Sequence, residues 1–207
     1  MAEHSPQLDE ILETLKKCAA ALRDAGIRFM VGGGVAAWAR GGPESIHDLD
    51  LIVKPDDADA ALEAFTDIGL RTERPPEGWL LKAWDGDVLV DLIFQPQGML
   101  VDDDAIDRAE ILNVKAMEVP VMPIADVMSS KLMALNERWL DYDQLLQIAR
   151  ACREQVDWDD VRRRTCESPF ARAFFEIVDG LGITAEPAGH SGGAAPFAPR
   201  RAPRSSS

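Results

Sequence analysis

Two aspartates one residue apart within an apolar run, Asp48 and Asp50, constrain the fold of this chain more than any other feature. The run DLDLIV is typical of a β-strand, and side chains on a strand alternate between its two faces. Asp48 and Asp50 are therefore expected to point to the same side of one strand. Neighbouring carboxylates repel each other unless a cation lies between them, and a divalent ion is the usual partner of such oxygen ligands.

A third carboxylate and a glycine pair complete this pattern. Asp91 lies in the segment VLVDLIF, whose other residues are all apolar, and an Asp inside a buried strand is costly without a partner. Gly33 and Gly34 would let the backbone approach a phosphate, with the following helix N-terminus adding amide donors. The pattern therefore predicts a site for Mg²⁺ and a nucleotide phosphate. The alternatives are an ordinary strand-to-helix turn at the glycines and an exposed hairpin acid at position 91.

A second group of candidate residues lies in a predicted helix further along the chain. Lys131 is four residues from both Val127 and Leu135, so it falls on the apolar face of this helix. A Lys in such a position either extends its ammonium to an edge or has an anionic partner, here the β and γ phosphates. Asp141 either orients Lys131 or the nucleotide base, or begins the next helix. Asp143 replaces it if the register differs.

These elements in this order resemble the nucleotidyltransferase superfamily, whose members share a Gly-Gly or Gly-Ser turn, an Asp-x-Asp strand and a third acid on a neighbouring strand. The segment 123–149 resembles the helical part of the AbiEii/MenT-type toxin branch, in which a helical Lys is followed about ten residues later by an Asp. Lys131 and Asp141 match that spacing. The resemblance covers roughly residues 27–150.

The resemblance implies that an acceptor hydroxyl attacks the α-phosphate of an NTP and that pyrophosphate leaves. Metal ions and cations supply most of the stabilisation in such a reaction. Asp48 and Asp50 would bind Mg²⁺, and Asp91 would complete the metal site nearer the acceptor and help to deprotonate its hydroxyl. Catalytic roles thus fall to Asp48, Asp50, Asp91, Lys131 and Asp141, and nucleotide binding to Gly33, Gly34 and Lys131. The residues leave the base of the NTP open, with ATP among the candidates.

The segment before Asp48 departs from this branch. Glu44 and Ile46 stand where the branch commonly has an Arg and a Ser or Thr, and Ser45 and His47 flank the gap. A catalytically silent, partner-binding member of the fold is therefore a competing hypothesis. The retention of the three aspartates and Lys131 argues against it.

The net charge of −14 bears on the acceptor, because nucleic-acid binders usually carry a basic face. The basic residues that cluster along the chain are Arg150, Arg153, Arg162, Arg163 and Arg164. Such a run is usually a solvated helix face, but in a toxin it would bind RNA phosphates. The resemblance favours transfer to an RNA end, tRNA in particular, by a toxin with an antitoxin protein as partner. The alternative acceptor is a small hydroxylated molecule, as in antibiotic-modifying relatives.

Composition predicts a cytoplasmic protein with a sizeable core and no membrane association. The chain has 207 residues, of which 46% are hydrophobic, and no apolar run approaches the roughly 18 residues of a membrane span. The N-terminal segment carries no export signal. Three cysteines without CxxC spacing indicate reduced thiols.

Periodicity predicts an α/β (α+β) fold in which a mixed β-sheet core with helices is followed by a C-terminal helical bundle. The predicted domains are a catalytic core at 1–123, a helical subdomain at 124–185 and a disordered tail at 186–207. Helices are expected at 7–25, 56–67, from 124, at 142–152, after Asp157 and from Ser168 to Gly180. Strands are expected at 27–31, 49–53, 79–84, 88–94 and 119–122, with a hairpin turn at Asp85-Gly86.

Overall fold

The structure is a computed structural model that describes residues 5–44 and 47–184. The strands are β1 (Phe29–Val31), β2 (Asp48–Val53), β3 (Arg71–Glu73), β4 (Leu80–Asp85), β5 (Val88–Ile93), β6 (Glu110–Val114) and β7 (Met117–Val121). The helices are α1 (Pro6–Asp24), α2 (Gly33–Ala39), α3 (Ala58–Asp67), α4 (Asp103–Asp107), α5 (Ile124–Ala134), α6 (Tyr142–Cys152), α7 (Trp158–Thr165) and α8 (Pro169–Gly180), and a 3₁₀ turn (Pro55–Asp57) precedes α3.

The strands form one seven-stranded mixed sheet in the order β3-β4-β5-β2-β1-β7-β6. The pairs β2/β5 and β1/β7 are parallel, and the other pairs are antiparallel. This mixed sheet with helices confirms the predicted fold class. The central position of β2 matters for the site, because its neighbours on both sides hold it in a fixed register.

Local sequence signals explain several of the element boundaries. The Ser5 side chain accepts a hydrogen bond from the backbone N–H of Leu8 and so caps α1, and Gly26 follows the helix with φ 70°. Gly86 has φ 63° in the turn between β4 and β5, a conformation that glycine adopts without strain. The predicted hairpin is therefore confirmed, with Asp85 paired with Val88 next to the turn.

The four C-terminal helices confirm the predicted helical bundle. Helix α5 packs against α6, α7 and α8, and also against α2, the helix that begins at Gly33. Asp141, Asp157 and Ser168 cap α6, α7 and α8 by accepting backbone hydrogen bonds. In the described part of the chain, no helix has the length and apolar character needed to cross a membrane.

Several elements differ from the sequence-based expectation. Strand β1 is shorter than predicted, and β3, α4 and β6 were missed. The predicted strand at 119–122 is β7, which pairs with β6 across a turn at Lys115 and Ala116. These two residues have φ 48° and 63°, and such positive values are usual for Gly, Asn and Asp in hairpin turns. The domain boundaries stay a prediction, and the tail from 186 lies outside the described residues.

Candidate active site

Asp48 and Asp50 lie on the same face of β2, as the alternation of strand side chains predicts. Both are partly exposed, whereas Leu49 between them is fully buried on the opposite face. Leu51 is also fully buried and continues that apolar face. The core thus fixes the strand from one side and holds both carboxylates on the other.

Asp91 joins them because β2 and β5 are parallel neighbours in which Asp50 is paired with Asp91. Side chains of paired residues point to the same face of a sheet. One oxygen from each of Asp48, Asp50 and Asp91 lies within 4.8 Å of the others, a group that could hold a metal ion. Three converging carboxylates are a donor set that a hard divalent cation accepts, so these residues fit such an ion.

The electrostatics of the cluster follow from burial and like charge. Burial raises the pKa of Asp50 to about 7, with the negative charge of Asp48 as the next cause and the charge of Lys131 acting in the opposite direction. Burial also raises the pKa of Asp48, and the charge of Asp91 adds to the effect. The cluster therefore disfavours full ionisation until a cation is present.

Gly33 and Gly34 hold Asp50 in place. The backbone N–H of Gly34 donates a hydrogen bond to the Asp50 carboxylate, which partly offsets the rise in its pKa. Gly33 has φ 53°, and a Cβ at this position would lie 1.6 Å from Asp50 Oδ2. Glycine is therefore needed here both for the backbone conformation and for the space that the carboxylate occupies. Gly33 thus makes room for the Asp50 carboxylate, in addition to forming the strand-to-helix turn that was the alternative expectation for the glycines.

Lys131 projects from α5 towards the aspartates. It is half-buried, and its charge acts on both Asp48 and Asp50. Its Nζ donates to Gln144 Oε1 at 3.0 Å. Asp141 is exposed, and its carboxylate accepts from the backbone N–H of Asp143 at 3.1 Å and of Gln144 at 3.3 Å. Asp141 thus caps the start of α6, which was the alternative expectation for this residue. Its connection to Lys131 is indirect, because Gln144 contacts both residues.

Lys82 is a charged residue at the cluster that sequence reasoning missed. It is paired with Asp91 across β4 and β5, and its Nζ lies 2.9 Å from Asp91 Oδ1. The hairpin itself contained the signal, because the turn fixes the register and that register places Lys82 opposite Asp91.

A cavity of about 370 Å³ opens beside the cluster. Gly33, Asp50 and Lys131 line it together with apolar side chains, among them Ile52, Ile93, Met122 and Val127. Trp79, which is 40% exposed, is a further lining residue that the sequence did not single out. Ser130 also belongs to the lining, but its Oγ is buried and has no hydrogen-bond partner among the described residues.

The segment that departs from the resembled branch is only partly described. Glu44 accepts a hydrogen bond from the backbone N–H of Ser5 at 3.2 Å. His47 is exposed, and its charge lowers the pKa of the adjacent Asp48 against the dominant effect of burial. Ser45 and Ile46 lie outside the described residues.

Most of the clustered arginines form ion pairs within the bundle. Arg162 donates to both carboxylate oxygens of Asp179, at 2.9 and 3.0 Å, and Arg164 lies 2.5 Å from the buried carboxylate of Asp126. The other pairs join Arg163 to Asp160 and Arg153 to Glu154. The paired acids offset part of the positive charge that an RNA-binding surface would present to phosphates.

The comparisons with known proteins agree with this geometry. A family model described as "Nucleotidyl transferase of unknown function (DUF2204)" matches residues 11–169. The chain belongs to this family. It is thus a nucleotidyltransferase. No curated protein matches its sequence.

Two solved structures show the same fold as this nucleotidyltransferase. The crystal structure of ANT(2")-Ia in complex with adenylyl-2"-tobramycin has a TM-score of 0.57 and 17% identity, covering 80% of this chain and 97% of that chain. The solution structure of antibiotic-resistance factor ANT(2")-Ia has a TM-score of 0.58 and 17% identity, covering 81% and 94%. At this identity the similarity establishes the fold.

Replacing Gly33 with Ala should displace the Asp50 carboxylate, because the new Cβ would overlap it. We expect a loss of Mg-NTP binding and a destabilisation of about 1–3 kcal/mol, measured by thermal denaturation and calorimetry. Gly86→Ala is the matched control, since Gly86 also has positive φ but meets nothing within 4 Å. It should lose stability yet keep Mg-NTP binding. Equal binding in both variants would contradict the role of the Gly33 contact.

Asp50 should make the metal-free protein less stable as the pH rises. Its pKa is about 7 when folded, against a usual value of 3.8, so the folded state holds the proton more tightly between these values. The stabilisation that this group contributes is fully present below about pH 4 and is lost as the pH rises to about 7. The unfolding free energy of Asp50→Asn should therefore exceed that of the wild type by about 4 kcal/mol at pH 8 and by little at pH 4, as measured by urea unfolding. Asp87→Asn, an exposed acid in the hairpin turn, should give no such divergence.

Proposed function

We propose that this protein transfers NMP from an NTP to an acceptor hydroxyl in a Mg²⁺-dependent reaction that releases pyrophosphate. The observation that carries the proposal is the cluster of Asp48, Asp50 and Asp91, whose oxygens lie within 4.8 Å of one another. Lys131 and Gly33 line a cavity that also contains Asp50, which is consistent with a nucleotide phosphate bound there. The family match supports the reaction class.

In this proposal Asp48 and Asp50 hold the cation and Asp91 faces the acceptor. Mg²⁺ supplies Lewis-acid stabilisation of the charge that develops on the phosphate oxygens. The Asp91 carboxylate accepts the proton of the attacking hydroxyl. The hydrogen bond from Gly34 and the burial of Leu49 and Leu51 keep the carboxylates in one arrangement throughout the reaction.

The proposed phosphate contacts come from other residues that line the same cavity. Lys131 binds the β and γ phosphates with its ammonium, and Gln144 orients that ammonium through the 3.0 Å hydrogen bond. Asp141 is a positioning residue, because it holds the backbone of Gln144 at the start of α6. Gly33 also lines the cavity and allows close approach of the chain to the triphosphate.

The chemistry is tested by pyrophosphate release and by NTP affinity in matched variants. Asp50→Asn should abolish turnover while the fold is retained. Lys131→Met keeps the aliphatic stem and removes the charge, so it should weaken NTP binding at least about tenfold, or about 1.4 kcal/mol. Lys16→Met on the exposed face of α1 is the control. Equal NTP affinity for wild type and Lys131→Met would exclude Lys131 as a phosphate ligand.

Two acceptor classes have separate support. The resemblance to toxin nucleotidyltransferases supports an RNA end, with tRNA as substrate and an antitoxin as partner, and the exposed Trp79 and Trp139 offer surfaces for stacked bases. The net charge of −14 and the paired arginines support a small hydroxylated cation, which an acidic protein attracts. ANT(2")-Ia, which shares the fold, was solved with adenylyl-2"-tobramycin.

The acceptor is identified by incubating the protein with each α-labelled NTP and Mg²⁺, either with total RNA or with a panel of aminoglycosides and other hydroxylated amines. Label on a discrete RNA band, lost in Asp48→Asn and in the double variant Arg150→Glu, Arg153→Glu, would establish the RNA acceptor. Label on a small molecule, lost in Asp48→Asn but retained in the arginine variant, would establish the second class. Label in neither fraction would contradict both.

A further inference from the structure

The ion pair between Lys82 and Asp91 lies at the carboxylate cluster and has no role in the reaction as proposed above. Lys82 Nζ is 2.9 Å from Asp91 Oδ1, and the two side chains are 24% and 14% exposed. An exposed ion pair contributes little, but one largely removed from water is screened less. The pair is also fixed by the sheet, because the two residues face each other across β4 and β5.

The position of this ammonium affects what the third carboxylate can bind. One Asp91 oxygen already accepts a hydrogen bond from Lys82, so a metal ion at this carboxylate would compete with the ammonium for it or bind through the other oxygen. The charge of Lys82 also reaches Asp48, where it lowers the pKa against the effect of burial. A divalent ion bound at Asp91 would lie within a few ångströms of the ammonium and would be repelled by it. Mg²⁺ in addition demands near-ideal octahedral geometry, which a partly occupied carboxylate meets less well.

We propose that Lys82 supplies the positive charge on the Asp91 side of the cluster, so that the site binds one divalent ion tightly through Asp48 and Asp50 and a second at Asp91 only weakly. The inference rests on the proposed function and specifies the metal stoichiometry of that same site. Lys82 is a positioning residue in this arrangement, because it acts on the acceptor-side carboxylate. In the absence of substrate it also offsets the repulsion that Asp91 contributes to the cluster.

A purely structural role is the alternative to be separated by experiment. Cross-strand ion pairs stabilise hairpins modestly whatever their neighbours. Lys17 of α1 provides a control, since its Nζ lies 2.5 Å from Asp85 Oδ2 at the end of the same hairpin, away from the carboxylate cluster. Loss of either pair should reduce stability slightly, but only the loss of Lys82 should alter metal binding.

The test counts Mn²⁺ ions by electron paramagnetic resonance in the presence of a non-hydrolysable NTP analogue. Wild type should bind one ion tightly and a second weakly. Lys82→Met should bind the second ion at least about tenfold more tightly, while Lys82→Arg and Lys17→Met should match the wild type. Lys82→Gln, a second neutral variant, serves if Lys82→Met does not fold. Two tight ions in the wild type, or unchanged second-ion affinity in the neutral variants, would overturn the proposal.

Asp50→Asn separates the failure of this inference from the failure of the proposed function. If the tight ion is lost in Asp50→Asn but the neutral Lys82 variants bind like the wild type, the role of Lys82 is wrong and the metal site stands. If wild type binds no Mn²⁺ with the analogue, the metal-dependent function and the role of Lys82 are both wrong.

Discussion

The parallel hydrogen-bonded pairing of β2 with β5 brings Asp50 opposite Asp91, with Asp48 on the same face. The sheet leaves these carboxylates little freedom to move apart, so their repulsion has to be offset by neighbouring groups. Burial and mutual charge raise the pKa values of Asp48 and Asp50, and the charges of Lys131 and Lys82 together with the Gly34 amide act against that rise. The surrounding structure holds the carboxylates and these compensating groups close to one another.

The supports of the cluster come from distant parts of the chain. The apolar face of β2 is anchored by Leu49 and Leu51, and the missing side chain of Gly33 leaves room for the Asp50 carboxylate. Helix α5 carries Lys131 and is itself held by Leu132, which is fully buried, and by contacts with the other helices of the bundle. Preorganised charges of this kind are effective in catalysis because the protein does not have to reorganise during the reaction.

Different parts of the molecule determine the reaction class and the choice of acceptor. The family match covers the sheet and most of the bundle and establishes a nucleotidyltransferase. A fold shared with ANT(2")-Ia at 17% identity does not define an acceptor, because substrate choice depends on individual side chains around a common core.

The sequence alone determined the Asp48 and Asp50 pair, the hairpin at Gly86 and the ends of the C-terminal helices, because strand alternation, turn residues and capping residues act over a few positions. It also indicated Asp91 and Lys131 through the resemblance. It missed β6 because the turn at Lys115 and Ala116 lacks the usual turn residues. Only the tertiary structure decided the contact between Lys131 and Gln144, the place of Trp79 in the cavity and the pairing of Arg164 with Asp126. These depend on strand register and helix packing between segments far apart in the chain, which no local pattern encodes.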